Sequence, residues 1–162
     1  MGPAGTTRDV VKEDVLGSVS RKIPSMMDYK VHIDKGSMFN TPPVFAVYTS
    51  MLTMEWLKNL GGIEAIEKEN EKKAGLIYSE IDLNPLFKGF ASNEDRSTMN
   101  ATFTLTNDIF KETFETMCAE AGINGINGHR SVGGYRASMY NALTLDSVAT
   151  LVEVMSELER KA

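Results

Sequence analysis

The sequence predicts an α/β (α+β) fold in which a small sheet carries helices packed on one face. Three observations carry that expectation. Apolar residues recur at three- and four-residue spacing in four separate stretches, the signature of amphipathic helices. Thr98 to Leu105 alternates strictly, with Met99, Ala101, Phe103 and Leu105 on one face and Thr98, Asn100, Thr102 and Thr104 on the other, as a half-buried strand does. From Asn40 onward the order is helix, helix, strand, strand, helix, strand, helix, whereas the first forty residues do not fit this unit and look like the end of something else.

Gly2-Pro3-Ala4-Gly5 is a turn signal. Arg8-Asp9-Val10-Val11-Lys12 is expected to be a short strand, and residues 17–39, interrupted by Pro24 and Gly36, an irregular segment. His32 lies there with no partner cluster and is assigned no role. In Asn40-Thr41-Pro42-Pro43, Thr41 has the chemistry of an N-cap and proline suits the first helical position. The helix that follows carries Val44, Val47, Tyr48, Met51, Leu52 and Leu57, and Gly61-Gly62 ends it. Its start offers free N–H groups and a positive dipole end that suit a phosphate, and it equally suits a plain capped helix.

A second helix spans 63–81 with Ile63, Ile66, Ala74, Ile77 and Ile81 as its stripe. Glu64 with Lys68 and Glu69 with Lys73 are supportive i,i+4 pairs, so the charged run Glu67–Lys73 is expected to be a solvated face. Asn84-Pro85 breaks that helix, and a strand is expected over Phe87 to Ala91. A third helix runs from about Asp108 to Ala121 with Ile109, Phe110, Phe114, Met117 and Cys118 inward, and Gly122 stops it. A strand over Tyr135 to Tyr140 and a helix capped by Thr144, with Val148, Leu151, Val152, Met155 and Leu158 in one stripe, complete the chain.

At 162 residues the chain suits one domain, or one domain plus part of another. A net charge of −5 argues against general binding to nucleic acid or an anionic membrane, because counterion release needs a basic face. No apolar run approaches the length of a membrane span, and the N-terminus lacks the apolar core of a signal peptide. The single cysteine, Cys118, excludes an internal disulfide and suits a reducing, cytosolic compartment. Its place on an apolar helix face makes it core filler.

Against this acidic background, Gly128-His129-Arg130-Ser131-Val132-Gly133-Gly134-Tyr135-Arg136-Ala137-Ser138 gathers two arginines, one of two histidines and three glycines. A guanidinium is a rigid fork of donors that matches carboxylate and phosphate oxygens, and glycines let backbone approach a ligand. The stretch therefore suits one small anion. The same residues also suit a solvated, arginine-bearing turn beside a strand.

Taken together, Met1–Gly5, Asp28–His32, Met38–Pro43, Glu55-Trp56-Leu57, Glu94-Asp95-Arg96-Ser97 and Gly128–Ser138 resemble, over essentially the whole chain, the phosphoserine aminotransferases. These are class V, fold-type I enzymes that use pyridoxal 5′-phosphate. The resemblance implies the C-terminal portion of such an enzyme, with 1–42 a remnant of the cofactor-binding large domain. Residues 43–162 would be the small domain, beginning with the long connecting helix. It implies that Asn40 and Thr41 hold the cofactor phosphate across the interface of a homodimer with a shared active site. Arg136 would grip the substrate α-carboxylate, and His129 and Arg130 would bind the phosphate of phosphoserine.

The implied reaction converts O-phospho-L-serine and 2-oxoglutarate into 3-phosphohydroxypyruvate and glutamate, in serine and pyridoxine biosynthesis. In the family the Schiff-base lysine lies just upstream of the Gly-Pro-Ala-Gly turn, where this chain has only Met1. No residue is therefore assigned a catalytic or metal-binding role, and the chain alone is expected not to transaminate. A non-catalytic domain that binds small anions or another chain is the alternative.

Overall fold

The structure, a computed structural model, describes residues 4–162. Met1, Gly2 and Pro3 of the expected opening turn lie outside the described residues, and Ala4 and Gly5 form a turn. Two compact units are present, Met1–Leu60 and Gly61–Ala162.

In the first unit the expected strand at Arg8–Lys12 is absent: residues 6–12 have no regular structure and Val10 is 94% exposed. A strand needs a neighbour to take its N–H and C=O groups, and the described residues of this unit contain none. The segment expected to be irregular contains a short helix, α1, Tyr29–Asp34, whose start is capped by the Asp28 carboxylate accepting the Lys30 N–H at 3.0 Å. Six residues are too few to show a period in the sequence. His32 is structural, with Nε2 3.0 Å from the Met26 carbonyl and its ring edge-on to Phe39.

The long helix, α2, spans Val44–Asn59. Its N-cap is Pro43, with no side-chain cap, and not Thr41. A residue that precedes proline is pushed out of the helical region, so Pro42 cannot begin the helix and Thr41 lies too far back to reach its first N–H groups. Only Ala46 of α2 is buried, while Val44, Phe45, Val47, Tyr48, Met51, Leu52 and Trp56 are exposed. The division between the two compact units falls after α2.

The second unit opens on Gly61 and Gly62, both at positive φ (104° and 79°), a conformation that glycine adopts without steric cost. Helix α3, Gly62–Leu83, turns Ile66, Ala74, Ile77 and Ile81 inward. Asn84 ends it, its side chain bonding Glu80, the Met155 carbonyl and the Leu86 N–H. Three strands follow: β1 (Phe87–Gly89), β2 (Asn100–Leu105) and β3 (Tyr135–Ser138), each shorter than expected. They form an antiparallel sheet in the order β1-β2-β3, with Phe87 opposite Leu105 and Phe103 opposite Tyr135.

Between β2 and β3 lies α4, Lys111–Glu120, preceded by a tight turn at Asp108–Phe110 that Asn107 caps. That turn changes the phase of the side chains, and Ile109, expected inward, is 73% exposed. Helix α5, Leu145–Lys161, starts as expected, with Thr144 accepting the Ser147 N–H at 3.3 Å.

Alternation along the strands decides where the core sits. Phe87, Ala101, Phe103, Tyr135 and Ala137 are buried with Ile77, Ile81, Phe114, Met155 and Leu158 from the helices. Four rings (Phe87, Phe103, Phe114 and Tyr135) pack with centroids 4.9 to 6.4 Å apart. Cys118, 1% exposed, belongs to this core, and burial pushes its thiol up to about 11, far from a thiolate at neutral pH. The other sheet face keeps Lys88, Arg136 and Ser138 exposed.

Within the helix layer one expectation fails. Glu69 pairs with Lys72 and not with Lys73. Lys73 is 1% exposed, and its Nζ donates to the carbonyls of Met139, Tyr140 and Leu143 at 3.1, 3.0 and 3.0 Å. Only the ammonium form supplies three donors, so the charge is matched by three carbonyl dipoles. Burial pushes its pKa down and Glu69 pulls it up. One turn earlier, the Asn70 amide donates to Asn141 at 2.9 Å. Helix α3 thereby grips the turn that joins β3 to α5.

Candidate anion-binding site

The loop that enters β3 is closed by backbone bonds at its neck. The Gly128 N–H donates to the Gly134 carbonyl at 2.8 Å, and the Arg136 N–H to the Ile126 carbonyl at 2.7 Å. At the tip, the Val132 and Gly133 N–H groups both donate to the His129 carbonyl, at 2.9 and 2.8 Å. Glycine is needed where these chains close up. A Cβ on Gly128 would lie 2.1 Å from the Gly133 oxygen. One on Gly134, at φ +63°, would lie 2.7 Å from the Phe103 oxygen.

The tip presents His129 and Arg130, both exposed. The two line one cleft of about 270 Å³ together with Thr104, Asp108, Lys111 and Glu115. At its base the Tyr135 hydroxyl donates to Glu115 at 3.3 Å, and burial, helped by the Glu115 charge, pushes the phenol strongly up. Tyr135 is therefore a fixed neutral donor there. The His129 Nδ1 lies 2.7 Å from the Ser131 Oγ and 3.3 Å from the Ser131 N–H, leaving Nε2 without a partner among the described residues. Arg130 takes part in no ion pair among the described residues.

Arg136 sits on β3 opposite Thr102, its exposed position set by the alternation with buried Tyr135 and Ala137. It also has no acidic partner among the described residues. It lines a different cleft, of about 310 Å³, with residues of the 121–126 loop and Ser147 and Thr150 of α5. Within this chain His129 and Arg130 line one cleft and Arg136 lines another. The physical reason is the strand. Five residues lie between Arg130 and Arg136, and the last two of them, Gly134 and Tyr135, are already held against β2 and the 126–128 backbone.

Asn40 and Thr41 belong to the first unit and are exposed. The Asn40 amide makes only a long contact to the Thr41 carbonyl at 3.5 Å, and the Thr41 hydroxyl has no hydrogen bond among the described residues. No side chain caps α2, so its first-turn N–H groups, like the Thr41 hydroxyl, have no hydrogen-bond partner among the described residues. An amide, a hydroxyl and helix-start N–H groups are donor types that a phosphate monoester accepts, so the chemistry of these residues suits the phosphate group of the implied cofactor.

Three contributors escape the sequence. Ser131 shows its role only through the turn geometry. Lys73 and Asn70 fall in the charged run expected to be solvated, although Lys73 lies seven residues after Ile66 and four before Ile77. That spacing puts it on the buried stripe. The Glu94–Ser97 stretch is structural: Arg96 makes a two-pronged pair with Asp82 at 2.6 and 2.7 Å, and its guanidinium lies 4.5 Å from the Tyr78 ring centroid. It ties the β1–β2 connection to α3.

Comparison with known proteins supplies the context. Residues 1–151 match the class-V aminotransferase family. The chain is 66% identical over 161 residues to a phosphoserine aminotransferase of Flavobacterium psychrophilum, the match covering 99% of this chain and 45% of the relative. It is 61% identical over 161 residues to that of Flavobacterium johnsoniae, with the same coverage. A solved phosphoserine aminotransferase, studied for radiation damage of its Schiff base, superimposes with a TM-score of 0.84 at 44% identity, covering 94% of this chain and 42% of that one. The enzyme from Bacillus circulans subsp. alkalophilus gives 0.83 at 37% identity, covering 93% and 42%. The chain thus spans about half the length of the curated relatives it matches, 45% of each Flavobacterium enzyme.

Proposed function

We propose, from the premise that this chain belongs to the class-V aminotransferase family, that it forms part of a phosphoserine transaminase. That enzyme exchanges the amino group of O-phospho-L-serine with 2-oxoglutarate to give 3-phosphohydroxypyruvate and glutamate, in serine biosynthesis. It works in the cytoplasm as a homodimer, with 1–42 belonging to the large domain and 43–162 forming the small domain. When bound, pyridoxal 5′-phosphate supplies the electron sink of the reaction.

The residues of this chain bind and orient. Asn40 and Thr41 hold the cofactor phosphate with an amide, a hydroxyl and the free N–H groups at the start of α2. Arg136 takes the substrate α-carboxylate in a two-pronged pair, which fixes the amino group for transfer. His129 and Arg130 take the side-chain phosphate, a dianion that finds few other unpaired donors on an acidic chain.

The observation that carries this reading is the His129–Gly134 turn. It aims a histidine donor and a guanidinium without an ion pair among the described residues into one cleft of a chain with net charge −5. The test is turnover by the full-length enzyme with O-phospho-L-serine and with L-serine. A strong preference for the phosphorylated substrate is expected, and replacement of Arg130 by glutamine should lower that preference by at least about tenfold, the loss of one charged contact. Equal turnover of both substrates by the unaltered enzyme would overturn the proposal.

A further inference from the structure

We propose that Ser131 is a positioning residue that sets the tautomer of His129, so that the ring presents Nε2–H as a donor to a phosphate monoester. The inference rests on the reading that this cleft takes the side-chain phosphate. It starts from an asymmetry at the imidazole. A backbone amide can only donate, and the Ser131 N–H points at Nδ1 from 3.3 Å. Nδ1 is therefore an acceptor, and the Ser131 hydroxyl, 2.7 Å from the same nitrogen, donates to it as well. In the neutral ring the proton then resides on Nε2.

The rest of the turn makes this arrangement firm. The His129 carbonyl accepts the N–H groups of Val132 and Gly133, so the residue is gripped through its backbone on one side and through Nδ1 on the other. Nε2 is the one polar atom of His129 left without a partner among the described residues, apart from a backbone N–H that enters no hydrogen bond there. Phosphate monoester oxygens bear lone pairs and only accept. Nε2–H meets them with a hydrogen bond, whereas the opposite tautomer would meet them with a lone pair. Ser131 thus decides whether the ring attracts or repels the ligand.

Two measurements on the full-length enzyme test this. Nitrogen-15 spectra of histidine-labelled enzyme, at a pH well above the ordinary histidine range, report which ring nitrogen carries the proton. The His129 signals are identified by their loss in His129→Gln. Nε2–H is expected in the unaltered enzyme, with a mixture of tautomers in Ser131→Ala. Steady-state kinetics should show a KM for O-phospho-L-serine raised about three- to tenfold in Ser131→Ala, the worth of one neutral hydrogen bond. The rise in KM should exceed any change in kcat. Ser131→Thr, which keeps the hydroxyl, should restore the KM.

Nδ1–H in the unaltered enzyme overturns the proposal. So does a Ser131→Ala enzyme whose KM for phosphoserine is unchanged. If the tautomer is as stated but inorganic phosphate leaves the His129 signals unmoved, the assignment of the cleft to phosphate fails, and the proposal falls with it.

Discussion

Replacing Lys73 by methionine removes an ammonium and keeps a side chain of similar length, so the change isolates three hydrogen bonds. The Met139 carbonyl loses its donor in a buried setting, while those of Tyr140 and Leu143 are partly exposed and regain water. One orphaned buried acceptor costs about 1–3 kcal/mol, and the two rehydrated ones add little. Relief from holding a buried charge offsets part of this, so the net loss should be about 2 kcal/mol. Lys73→Ala also removes three methylenes from the core, at roughly 0.8 kcal/mol each, and should lose about 2 kcal/mol more.

The control is Lys72→Met, next in sequence and paired with Glu69 on the surface, which should change stability by less than about 0.5 kcal/mol. Urea unfolding followed by far-ultraviolet circular dichroism measures all three. If Lys73→Met and Lys72→Met unfold at the same urea concentration, Lys73 is a surface residue and the reasoning is refuted.

Gly128→Ala should distort the loop and cost about 2–3 kcal/mol, since its methyl meets the Gly133 backbone oxygen at 2.1 Å; unchanged thermal stability together with unchanged phosphoserine binding would contradict the close approach. Arg136→Lys in the full-length enzyme should lower kcat/KM for both amino-acid substrates by at least about tenfold, because a point charge does not replace a two-pronged fork, and normal kinetics would remove Arg136 from the α-carboxylate. The Arg96 hydrogen bonds hold the Asp82 carboxyl below its ordinary value of 3.8. The unfolded chain therefore takes up that proton first, and the stabilisation is complete above 3.8 and lost as the pH falls through the lowered value. With Asp82 nearly half exposed, the stability difference between the unaltered chain and Arg96→Gln should be about 1 kcal/mol at neutral pH and shrink below about pH 4. A difference that stays constant down to about pH 2 would show that the pair contributes nothing through charge.

Period and punctuation carried the second unit into view from sequence. The stripe Ile66, Ala74, Ile77 and Ile81, the alternation through Ala101 and Phe103, and the Thr144 cap each need only near neighbours in the chain, and each is present. What failed did so where a distant partner decides. Arg8–Lys12 has strand-forming residues but no strand beside it among the described residues. Thr41 has capping chemistry, yet Pro42 and Pro43 move the start of α2 beyond its reach.

The candidate site divides in the same way. That His129, Arg130 and Arg136 suit anions follows from residue type and from an acidic background, both legible in the one-dimensional chain. That Arg136 occupies a different cleft from the other two follows from the register of β3 on β2, a contact across thirty-four residues between Thr102 and Arg136. The sequence by itself determined the chemistry on offer: cationic forks, glycines for close approach, and amphipathic helices around a small sheet. Only the tertiary structure decided that Lys73 serves the β3–α5 turn and not the surface, and that Ser131 closes on His129 Nδ1. Hydrogen bonds are settled by which donors and acceptors burial brings within about 3 Å, and the chain order does not record that distance.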